Sequence, residues 1–132
     1  MNSREAAIEF VGQLKTIVPE DEIRLHAVRF DADLYDIDVE HGEWAITVSL
    51  DKQGESFRVL LDAYVIDGLS ASDVLAFIAA LKEGRAVVRV STVPILGRSV
   101  SLDLELGASR RVSTRRKWGS GLADWEQRLL ES

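Results

Sequence analysis

A chain of 132 residues, 46% apolar and 29% charged, is long enough to bury a core and too apolar to default to disorder. It contains no cysteine, which excludes disulfides, thiolate metal sites and a cysteine nucleophile and fits a reducing compartment. The net charge of −6 is uneven: residues 110–117 hold five basic residues and no acid, and the rest carries 11 basic against 22 acidic residues.

A body of −11 therefore adjoins a segment of +5. An acidic body disfavours general binding to nucleic acid and favours a basic protein surface. No apolar run approaches the roughly 20 residues of a membrane span, and the N-terminus lacks the apolar run of a signal peptide. The expectation is a cytoplasmic protein with no membrane contact, read as one domain over residues 1–132.

Residues 3–18 have helical spacing, with Ala7, Phe10, Val11, Leu14 and Val18 on one face, Ile8 and Ile17 at its margins, Ser3 as candidate N-cap and Pro19 as the stop. From residue 23 to 40 the pattern alternates. Val28, Phe30, Ala32 and Leu34 share one parity and Tyr35, Ile37 and Val39 the other, so a bulge, a bend or two strands must intervene. His41-Gly42 signals a turn. A strand over 43–51 follows, with Trp44, Ile46, Val48 and Leu50 inward. After a loop at 51–54, residues 56–65 return as one strand with Phe57, Val59, Leu61 and Ala63 on one face, broken by Asp67-Gly68.

The strongest local signal spans residues 70–84. Ser70 and Asp73 form an imperfect capping box, with Ser72 as a rival cap. Val74, Leu75, Phe77, Ile78 and Leu81 make a broad apolar stripe, and Gly84 suits a left-handed stop. A valine-rich strand covers 85–93. Residues 98–106 alternate most regularly, with Val100, Leu102, Leu104 and Leu106 inward. Residues 107–121 read as a basic loop or an irregular strand, and 122–130 as a short helix docked by Leu122, Trp125 and Leu129.

The expected fold is α+β in the order α-β-β-β-α-β-β-α, a mainly antiparallel five- or six-stranded sheet with helices on one face. This order resembles that of the type III secretion chaperone-like fold, a resemblance in element order and acidic character. It implies a non-enzymatic chaperone that is commonly dimeric.

Two charged stretches are the candidate sites. Asp31, Asp33, Asp36, Asp38 and Glu40 form an acidic ladder suited to a basic partner or a solvated face. The stretch resembles a calcium loop only superficially, because the glycine needed at its sixth position is missing, so no metal or other cofactor is implied. Arg110, Arg111, Arg115 and Arg116 beside Trp118 could meet phosphates or a protein surface, or fold back over the acidic body. No Gly-x-Ser-x-Gly elbow, phosphate loop or dinucleotide fingerprint occurs.

The reading these residues support is a small acidic, non-enzymatic module that masks or carries a protein partner, chaperone-like or toxin-neutralising and immunity-like. The order also allows a homodimer. The competing reading is a small enzyme or ligand-binding domain in which His26, His41 and the acids of 31–40 converge on a pocket.

Overall fold

The computed structural model describes residues 2–28, 31–95, 97–107, 110–119 and 121–131, and at 31–33 and 93 the backbone alone. Helix α1 spans Ser3–Leu14 and is followed by a short 3-10 turn at Glu20–Glu22. Five strands come next: β1 (Ile23–Val28), β2 (Asp31–His41), β3 (Trp44–Leu50), β4 (Phe57–Leu61) and β5 (Tyr64–Leu69). Helix α2 spans Ala71–Lys82. Then come β6 (Ala86–Val93), β7 (Gly97–Gly107), β8 (Arg110–Lys117) and the short helix α3 (Asp124–Arg128).

The α+β class and the antiparallel pairing agree with the sequence. The strand count and the single sheet do not: eight strands form a five-stranded sheet, β1-β2-β3-β4-β5, and a three-stranded sheet, β6-β7-β8, every neighbouring pair antiparallel. The chain divides into two compact units, Met1–Leu75 and Ala76–Ser132, with the boundary inside α2.

In the first unit the five strands are successive hairpins. The parity switch expected between Leu34 and Tyr35 is a register break, where Ala27 pairs with Tyr35 and Val28 with Asp31. Phe30, expected on the Val28 face, lies outside the described residues. The strand expected over 56–65 is two strands, because the chain reverses at Asp62, which adopts φ 50. Aspartate tolerates this left-handed conformation better than most non-glycine residues.

One face of this sheet is buried through the aligned rows Ile37–Val48–Val59–Ile66 and Val39–Ile46–Leu61–Tyr64. Helix α1 lies along β2 and buries Ala6, Ala7, Phe10 and Leu14, with the Phe10 ring 5.3 Å from that of Phe57. Its N-cap is Asn2, whose side chain accepts from Glu5 N at 2.9 Å; Ser3 is already the first helical residue. The helix stops at Leu14, and residues 15–18 form a turn before Pro19.

Both ends of α2 are built as the sequence expects. Ser70 Oγ accepts from Asp73 N at 3.1 Å while Asp73 Oδ2 accepts from Ser70 N at 3.3 Å, a reciprocal capping box. At the other end Gly84 has φ +72, Arg85 N donates to Ala80 O at 2.8 Å and Gly84 N to Leu81 O at 3.3 Å, which is the Schellman pattern.

The second unit buries Phe77, Ile78, Ala80 and Leu81 of α2 with Ala86, Val88, Val100, Leu102 and Leu104 of the sheet and Trp125 of α3. Leu106, expected inward, is half-buried near the strand end. The basic stretch expected as a loop or an irregular strand is mostly strand β8, paired along β7 from Ser99–Lys117 to Glu105–Arg111. The outer edge of β6 is partly taken by the C-terminal segment: Val88 N donates to Leu129 O and Glu131 N to Val88 O, each at 2.9 Å. No helix among the described residues is long and apolar enough to cross a membrane.

Candidate functional site: the carboxylate face of the five-stranded sheet

The buried parity of β2 is that of Ile37 and Val39, so alternation turns Asp36, Asp38 and Glu40 to the opposite face, about 7 Å apart along the strand. Register extends this face across the sheet. One row runs Arg24, Asp38, Thr47, Leu60, Val65, and a neighbouring one begins with His26, Asp36, Ser49 and Arg58. Carboxylates thus occupy the β2 side, while half-buried Leu60 and Val65, 46% exposed, add apolar surface on the β4–β5 side. Arg58 is ion-paired with Asp67 across the same two strands. Asp31 and Asp33 belong to β2 by backbone; their side chains lie outside the described residues.

Asp38 is the most tightly held of the three acids. Its Oδ1 accepts from Thr47 Oγ1 at 2.9 Å and its Oδ2 from His26 Nε2 at 2.9 Å. The other ring nitrogen of His26 faces Ala27 O at 3.4 Å, so both nitrogens meet acceptors. The hydrogen bond to Asp38 raises the His26 pKa above its ordinary value; desolvation opposes the rise, and Ala27 O and the Asp38 and Asp36 charges add to it.

A raised pKa means that protonation stabilises the fold. The contribution is fully present below the unfolded pKa of about 6.5 and is lost as pH rises through the higher folded value. The side chain is 49% exposed, so solvent screening keeps the effect under about 1 kcal/mol. An NMR titration is expected to give His26 an elevated pKa in the wild type that returns toward the ordinary value in Asp38→Asn; equal values in both proteins would show the contact to be incidental.

His41 does not join His26. It shares the buried-face parity of Val39, donates from Nδ1 to Glu22 Oε1 at 2.8 Å, and stacks on Trp44 with centroids 6.2 Å apart and planes 18° apart. His26 pairs with Asp36 on the other face. The two histidines therefore lie on opposite faces of one sheet, which weighs against a pocket on which both converge. No group of three or more histidine, aspartate or glutamate side chains among the described residues is arranged to hold a metal ion.

Compared with known proteins, the chain matches no family model, no curated protein and no solved structure.

The basic candidates lie on β8 and separate by parity. Val112, Thr114 and Arg116 pair with Leu104, Leu102 and Val100 and so share the buried face; Arg111, Ser113, Arg115 and Lys117 are exposed on the other. Arg110 is exposed at the strand start. The Arg116 side chain is only 9% exposed and its guanidinium is taken up internally. Nε donates to Glu126 Oε2 at 2.9 Å and Nη2 to Glu126 Oε1 at 2.7 Å; Nη1 donates to Lys117 O and Trp118 O, and Nη2 also to Gly121 O.

Arg116 is thus a structural clasp, marked in the sequence only by its even spacing from Val112. Arg111 is paired with Glu105 at 3.3 Å, and Trp118 lies half-buried beneath the Arg98 guanidinium, 5.3 Å from its centroid. The Arg116 counterion Glu126 lies ten residues further on, in α3. It stands three residues after Ala123, whose N–H donates to Glu126 Oε1 at 2.9 Å, so a capping glutamate also serves as counterion.

Proposed function

We propose that the chain is a non-enzymatic protein-binding module that masks or carries a basic protein partner through the open face of the five-stranded sheet. The observation that carries this reading is the row Asp36, Asp38, Glu40 standing in register beside Leu60 and Val65. Charge gives orientation and fast encounter, while apolar area supplies most of the affinity, and interfaces that hold need both. A partner with lysines or arginines around an apolar centre fits that division. The regular sheet face offers a preformed surface for a folded partner, which favours toxin-neutralising, immunity-like masking over the chaperone-like carrying of an extended segment.

Capture from an extract of the native host tests the reading by comparison between variants. The double substitution Asp36→Lys with Glu40→Lys is expected to lower recovery of the partner at least tenfold, since apposed like charges cost several kcal/mol; Val65→Asp is expected to lower it as well. Glu9→Lys with Glu20→Lys makes the same net change at other exposed positions and is expected to leave capture intact. Equal loss from both pairs would reduce the effect to net charge, and undiminished capture by the Asp36–Glu40 variant would remove the face from the account.

A further inference from the structure

The sheet of the second unit is polarised from end to end. At one end cations and acids are matched: Arg85 with Glu83 at 2.7 Å, Arg89 with Asp103 at 2.6 Å and Glu131 at 2.7 Å, and Arg111 with Glu105 at 3.3 Å. Toward the other end residues 91–101 and 115–119 contain no acid, and Glu126, which meets this end through Arg116, is buried. That end holds Arg98 and Lys117, with Arg115 two residues further in along β8 and level with Arg89; none of the three is ion-paired among the described residues. By register Ser99 pairs with Lys117 and Ser101 with Arg115, which sets hydroxyls beside the cations on the outer face.

The tip of the β6–β7 hairpin projects from the same end. Val93 pairs with Gly97, closing a turn whose residues 93–96 read Val-Pro-Ile-Leu in the sequence. Polar and glycine residues normally occupy such a tip, yet here Pro94 and Ile95 are both exposed. Ile95 makes the case more sharply. It is fully exposed at 105% and sits at φ 76, a left-handed conformation that a β-branched residue adopts only at a cost. Glycine would fit this position better for folding. Trp118 and Arg98 stack beside the tip, an aromatic and a cation of the kind found at membrane–water boundaries.

We propose that the β6–β7 tip and the adjoining end of β8 form a docking surface for an anionic lipid membrane. The inference stands on residues separate from the carboxylate face and does not rest on it. Ile95, with Pro94 beside it, enters the headgroup–acyl boundary, Trp118 lies at headgroup depth, and Arg98, Arg115 and Lys117 meet lipid phosphates. A projecting tip cannot enclose a small solute, whereas a lipid surface requires only an apolar point ringed by cations. Each basic residue near an anionic surface raises partition about fivefold, so the three together supply a factor on the order of 100, and charge alone does not suffice without the apolar tip.

The test is co-sedimentation of the full chain with phosphatidylglycerol–phosphatidylcholine vesicles, with pure phosphatidylcholine vesicles as comparison and inorganic phosphate as competitor. The wild type is expected to bind the anionic vesicles, to ignore the neutral ones, to be released by salt and to be unaffected by inorganic phosphate. Arg115→Glu with Lys117→Glu is expected to lower binding at least twentyfold. Ile95→Gly is expected to lower it at least fivefold while raising the melting temperature, because it removes the apolar point and relieves the backbone; that pairing separates docking from misfolding. Absence of binding, equal binding to neutral vesicles, displacement by phosphate or undiminished binding by both variants would each overturn the proposal. Capture of an acidic protein by the tip in place of vesicles would overturn it too.

Discussion

Glu126→Ala is expected to destabilise the chain by about 3–5 kcal/mol, measured as a fall in the urea midpoint at unchanged slope. The reason is the state in which it leaves Arg116. The two side chains are 9% and 3% exposed, and Glu126 accepts from both Nε and Nη2 of the guanidinium. All five N–H donors of Arg116 have partners in Glu126 and in the carbonyls of Lys117, Trp118 and Gly121. Without the carboxylate, a buried cation loses its two charge-assisted bonds to Glu126, and Ala123 N loses its acceptor as well. Against a typical domain stability of about 5–15 kcal/mol, this is a large fraction of the whole.

Replacing both partners with apolar residues, Arg116→Met with Glu126→Leu, is expected to recover much of the loss, because the desolvation cost of both charges disappears with their attraction. A Glu126→Ala variant within about 1 kcal/mol of wild type would mean that water reaches the pair. The ion pair also changes how the basic segment is understood. Counting charge over residues 110–117 suggests five cations available to a partner, but Arg116 already has its counterion and Arg111 shares Glu105. Arg115 and Lys117, with Arg98 from β7, are what the strand end presents.

What the sequence makes legible here is local. Helix α2 can be read because its signals lie within a few residues of one another: Ser70 and Asp73 close one end, and Gly84 with φ +72 closes the other. Strand β7 can be read because Val100, Leu102 and Leu104 alternate with Ser99, Ser101 and Asp103 without interruption. The β4–β5 reversal cannot, since Ala63 continues the apolar alternation and Asp62 takes φ 50 with no glycine or asparagine to announce it. Strand β8 is obscured for another reason. Arginines occupy both parities, so only Val112 and Thr114 hint that Arg116 turns inward.

Sheet membership is the least local property. Nothing in the alternation of β6 or β3 states that one joins a three-stranded sheet and the other a five-stranded one. The candidate site divides in the same way. The parity of Asp36, Asp38 and Glu40 is evident from the buried residues Ile37 and Val39, whereas the Asp38–His26 contact and the placement of Leu60 and Val65 on that face depend on strand register.

Gly54→Ala is expected to cost about 2–4 kcal/mol, the sum of a left-handed backbone penalty and an overpacked contact. Gly54 has φ +70, and a Cβ built there would stand 2.5 Å from Ala6 Cβ and 2.9 Å from Asn2 O. Neither neighbour can yield easily. Asn2 caps α1, and Ser3 N donates to Lys52 O at 3.0 Å, so the first turn of the helix is fastened to the loop that holds Gly54.

Ala6→Gly in the same chain is expected to return part of the loss, since it clears the nearer clash at a helix-propensity cost of about 1 kcal/mol; strict additivity of the two changes would place the damage elsewhere. The effect should also reach the carboxylate face, because α1 lies along β2, whose other side presents Asp36, Asp38 and Glu40. A loss of capture caused by Gly54→Ala should therefore follow the unfolded fraction and recover on moderate cooling. The loss caused by Asp36→Lys with Glu40→Lys should not recover, because there the fold remains and the complementary charge is gone.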